Sequence, residues 1–126
     1  MKRVALVVDD SMLIRHAVCS YFEDRGFAAE SATNGQEAME IVARILPDII
    51  LTDIHMPKVD GRQFILALKS NPRTAPVPIV ILTARDFSPG VLVDLPAVYV
   101  VFKDIDIASQ LQAVLESALP GDSLQD

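Results

Sequence analysis

Four short apolar runs in this chain end, one after another, on a charged or hydroxyl residue. VALVV (4–8) gives way to Asp9 and Asp10, DIILTD (48–53) stops on Asp53, IVILT (79–83) on Thr83, and AVYVVFK (97–103) on Lys103. Runs this short, rich in Val and Ile and lacking polar alternation, predict strands buried on both faces. Between them the spacing turns helical. Ile14, Ala17, Val18, Tyr21 and Phe22 predict one face of a helix that Gly26 stops; NGQEAMEIVARIL begins on Asn34 with Glu37 three residues later, a capping-box pattern; GRQFILALKS follows Asp60, a cap candidate. FAAESAT (27–33) is a weaker strand carrying Glu30, which predicts an edge position. Residues 85–96 contain Pro89, Gly90 and Pro96, so only a short or irregular helix is expected there. A last helix should bury Ile107, Leu111, Val114, Leu115 and Ala118.

Five strands alternating with about five helices imply an α/β domain, a parallel sheet covered on both faces. The length of 126 residues suits one such domain; residues 1–119 are expected to form it and 120–126 to be a frayed tail or the start of a linker. Composition narrows the function. A net charge of −6 with no basic stripe argues against direct nucleic-acid binding. No apolar run approaches the length of a membrane span, and MKRVALVVDD reaches acids too soon for a signal peptide, which points to the cytoplasm. The single cysteine, Cys19, excludes an internal disulfide and a multi-cysteine metal site.

In parallel α/β sheets ligands gather outside the carboxyl ends of the strands. Asp9, Asp10, Asp53, Thr83 and Lys103 all fall at that rim. Crowded carboxylates repel one another, and a hard divalent cation such as Mg2+ relieves the repulsion with few protein ligands. A carboxylate can also attack phosphorus and carry an aspartyl phosphate, a transfer governed by positioning and charge neutralisation. Lys103 is placed to neutralise phosphoryl oxygens and Thr83 to donate a hydrogen bond to one.

The motifs VVDDS, LTDIHMPKVDG, ILTA and the lysine of VVFK resemble, in order and at nearly the same spacing, those of the receiver domain of bacterial two-component response regulators, over about residues 2 to 119. The resemblance, to chemotaxis-Y-like proteins, implies a flavodoxin-like doubly wound fold with strand order 2-1-3-4-5. It implies a phosphorylation-controlled switch rather than a turnover enzyme. Asp53 would accept a phosphoryl group from a sensor histidine kinase or phosphotransfer protein. Asp9, Asp10, Asp53 and the backbone carbonyl of His55 would hold Mg2+, Thr83 and Lys103 would contact the phosphoryl group, and Met56, Pro57 and Gly61 would shape the loop. A downstream protein or output domain would read the switch.

Three features depart from the family pattern. Asp104 stands where Pro usually follows the lysine. Val100 occupies the position of the usual aromatic switch residue, with Tyr99 and Phe102 on either side of it. The stretch from Thr83 to Lys103 is slightly short. They leave open the alternative of a pseudo-receiver, the same fold binding partners without phosphate, against which the intact set of Asp9, Asp10, Asp53, Thr83 and Lys103 argues. A phosphatase of related fold would want a second acid two residues after Asp53, where His55 stands, and a flavodoxin-like cofactor site would want a Ser/Thr/Gly-rich loop after the first strand, which is missing.

Overall fold

A computed structural model describes residues 2–54, 61–83, 99–103 and 106–119. Five strands, β1 (Val4–Val8), β2 (Ala28–Ala32), β3 (Ile49–Asp53), β4 (Ile79–Thr83) and β5 (Tyr99–Phe102), form one parallel sheet in the order β2-β1-β3-β4-β5. Four helices are described: α1 (Met12–Glu23), α2 (Gly35–Arg44), α3 (Gly61–Ser70) and α4 (Ile107–Ala118). The fold is the flavodoxin-like architecture expected. The irregular helix expected within 85–96 and the cap at Asp60 lie outside the described residues.

The period-two pleat divides each central strand between two cores. Ala5, Val7, Ile49, Leu51, Val80, Leu82 and Val101 face α1 and α4, where they pack on Val18, Phe22, Leu111 and Leu115. Leu6, Val8, Ile50, Ile79 and Ile81 face α2 and α3, packing on Ala38, Val42, Phe64, Ile65 and Leu68. Every residue of β3 and β4 is buried, as uninterrupted apolar runs require. β2 is an edge strand and mostly half-buried.

Two local expectations shift. Ala17 is exposed, because the buried stripe of α1 runs through Val18, Tyr21 and Phe22, with Ile14 and Cys19 at its margin. Asn34 caps α2 by accepting the Glu37 N–H at 2.9 Å, but Glu37 Oε1 reaches back one residue further than a capping box requires, accepting from the N–H and hydroxyl of Thr33 at 2.7 and 2.8 Å. After α1, Gly26 adopts φ +88°, and the Phe27 N–H then closes back on the Phe22 carbonyl at 3.0 Å. That left-handed turn is open to glycine and strained for other residues. It also brings the Phe27 ring edge-on to Phe22, with centroids 4.9 Å apart.

Candidate functional site

The pleat decides which strand-end side chains can meet. Asp9, Asp53 and Lys103 continue the alternation of Val7, Leu51 and Val101, so all three belong to the α1/α4 side of the sheet. Thr83 continues Ile79 and Ile81 on the other side.

Asp9 is the deepest of the group, with no solvent exposure. Its N–H donates to the Ala32 carbonyl at 3.1 Å, so it is still held to β2. Its Oδ1 accepts the Ser11 N–H at 2.9 Å, and Ser11 Oγ in turn caps α1 by accepting the Ile14 N–H. Arg15 Nη1, one turn along α1, donates to the Asp9 carbonyl at 2.8 Å. Asp53 closes β3 and is buried; its carbonyl accepts the Thr52 hydroxyl at 2.8 Å. Asp10 is exposed at the mouth of the group.

Lys103 ties these together. Its N–H donates to the Thr83 carbonyl at 2.8 Å, and its Nζ lies 2.8 Å from Asp9 Oδ2 and 3.1 Å from Asp53 Oδ2. Burial drives the Asp9 carboxyl above the usual carboxylate range and the neighbouring Asp53 adds to this, although Lys103 and the Ser11 N–H pull the other way. Burial alone would lower the Lys103 ammonium, but hydrogen bonds to Asp9 and Asp53 outweigh it and hold the lysine above its ordinary value. Lys103 thus gains from two acids, whereas for Asp9 burial outweighs the single cation beside it.

Asp9, Asp10 and Asp53 each offer a carboxylate oxygen within 4.8 Å of the other two. Mg2+ favours oxygen ligands and takes few protein carboxylates, so this all-oxygen set would suit that ion. The sequence candidates Asp9, Asp10, Asp53 and Lys103 are therefore brought together. Thr83 is buried at the end of β4 and joins them through its carbonyl. Gly61 opens α3. His55, Met56, Pro57 and Asp104 lie outside the described residues. Arg15 was not foreseen, because a side chain bonding to a backbone carbonyl leaves no residue pattern.

Residues 5–115 match the model of the response regulator receiver domain family. This chain belongs to that family. The receiver domain is 41% identical, over 64% of its length, to the response regulator Rre1 of Synechocystis, and spans 35% of that protein. The chemotaxis protein CheY4 of Vibrio cholerae shares its fold with a TM-score of 0.84 at 28% identity, over 94% of this chain and 100% of that one. The receiver domain of the sensor histidine kinase PA1611 of Pseudomonas aeruginosa, whose structure holds a magnesium ion in its active-site cleft, superposes with a TM-score of 0.84 at 20% identity, over 96% of this chain and 100% of that one. No helix among the described residues is long and apolar enough to cross a membrane.

Proposed function

We propose that this receiver domain is a phosphorylation-controlled switch in a two-component phosphorelay, with Asp53 as the phosphoacceptor. The observation that carries the proposal is the Lys103 ammonium bridging Asp9 and Asp53 beside a third carboxylate, Asp10. A carboxylate oxygen of Asp53 attacks the phosphorus of a phosphohistidine on a sensor kinase or phosphotransfer protein. The P–N bond breaks and its electron pair returns to the imidazole. Lys103 supplies a positive charge to the phosphoryl oxygens, and the Thr83 hydroxyl, at the end of β4, would donate to one of them once turned toward the rim. Mg2+, bound by Asp9, Asp10, Asp53 and the His55 carbonyl, would supply the remaining charge neutralisation. The residue set supports switching rather than turnover, in residues 1–119 of a cytoplasmic protein whose output partner reads the phosphorylated state.

Acetyl phosphate and Mg2+ test this. An added phosphoryl mass on the wild type that Asp53→Asn abolishes is the expected result. Labelling that survives the substitution would remove the assignment, and an unlabelled wild type would favour the pseudo-receiver.

A further inference from the structure

The family usually places Pro after the lysine, and this chain has Asp104. Proline restricts the residue before it to extended conformations, and aspartate imposes no such limit on Lys103. Lys103 Nζ nevertheless reaches both Asp9 and Asp53. Another restraint must set the direction in which the lysine leaves the strand.

Among the described residues β5 is an edge strand, paired with β4 alone. Along a strand the peptide groups of successive residues point to opposite sides. The Lys103 N–H points inward, to the Thr83 carbonyl at 2.8 Å. The N–H and C=O of Phe102 point outward, where a sixth strand would lie. There the side chain of Gln110, on α4, takes both: Oε1 accepts the Phe102 N–H at 2.9 Å, and Nε2 donates to the Phe102 carbonyl at 2.9 Å. Nε2 also lies 3.3 Å from the Asp106 carbonyl at the start of α4. The side-chain amide thus imitates the peptide of a neighbouring strand. The peptide that joins Phe102 to Lys103 is held at both ends, its oxygen by Gln110 from outside and its N–H by Thr83 from inside.

We propose that Gln110 is a positioning residue that aims Lys103 at Asp9 and Asp53, in place of the restraint a proline at 104 would impose. The proposal rests on the phosphoacceptor role of Asp53. A primary amide is the group that both accepts and donates at this reach. Glutamate keeps the acceptor and sets a carboxylate oxygen against the Phe102 carbonyl; methionine keeps the length and does neither.

The test uses Gln110→Met and Gln110→Glu, each alone and combined with Lys103→Ala. Phosphorylation by acetyl phosphate and Mg2+ affinity are measured on the same proteins. Both single variants should be phosphorylated about tenfold more slowly with Mg2+ affinity unchanged. Neither should slow the Lys103→Ala background further, since the effect runs through the lysine. Wild-type rates in whichever variant folds, or equal slowing with and without Lys103, would overturn the proposal. If the wild type takes no phosphoryl group, the phosphoacceptor reading fails separately, and the Lys103 ammonium resonances decide. A signal shifted or broadened in both Gln110 variants supports the positioning role, and an unchanged signal removes it.

Discussion

Asp53 and Lys103 stand 3.1 Å apart, yet the strands that deliver them are held very differently. β3 pairs with β1 on one side and β4 on the other, and all of its residues are buried. Among the described residues β5 pairs only with β4, and three of its four residues are half-buried. The acceptor is fixed by two ladders and two cores. The cation is fixed by one ladder and a side-chain amide. Under the proposed phosphorylation switch, the part with more freedom to adjust is the cation side, where one ladder rather than two opposes movement.

The largest expected effect tests the cation directly. Lys103→Ala should slow phosphorylation of Asp53 by about 100-fold, the scale for losing one preorganised charge donor, as followed by phosphoryl mass against time. A near-normal rate would mean that the adjustable side contributes nothing to the chemistry. Next comes packing. Val80 on β4 is wholly buried and Val100 on β5 is half-buried. Val80→Ala should cost about 2 kcal/mol in urea unfolding, from lost burial plus the cavity left, and Val100→Ala less than half of that. Equal costs would break the comparison, since the edge would then be packed as tightly as the centre.

Mg2+ offers a smaller test on the fixed side. At ten times its dissociation constant it should add about 1.4 kcal/mol to stability, read as a rise in melting temperature that chelation reverses and Asp10→Ala removes. Stabilisation undiminished in Asp10→Ala would move the metal elsewhere. The smallest expected effect is none at all. Tyr99 and Val101 face the α1/α4 core, and the β4–β5 register runs from Val80–Tyr99 to Thr83–Phe102 without a bulge. Tyr99 should therefore keep one ring environment when beryllium fluoride is added to the Mg2+ form, with Tyr21→Phe used to assign its resonances. A ring that passes from exposed to buried would show that the edge strand changes register.

The same contrast explains what was legible beforehand. β1, β3 and β4 are unbroken apolar runs, and a run buried on both faces announces both its ends and the polar residue that follows. The rim acids and Lys103 were thus readable from position alone. β5 was placed, but its outer support was not. A glutamine four residues past the Asp106 cap looks like an ordinary polar position on a helix, and only the completed sheet gives its amide a strand edge to meet. The exposure of Ala17 was missed because alanine fits either side of an amphipathic stripe, so spacing alone could not settle its face.

The bridge between Asp53 and Lys103 spans 50 residues of chain, and the one to Asp9 spans more. Pairing of β1 with β3 brings Asp9 and Asp53 together, and the cation that offsets their repulsion comes from β5. The last of the described strands in chain order is thus the one that supplies the charge that offsets the acidic rim. Loop-closure entropy must be met before that gain is realised, which places completion of the charge cluster among the slow, non-local steps of folding.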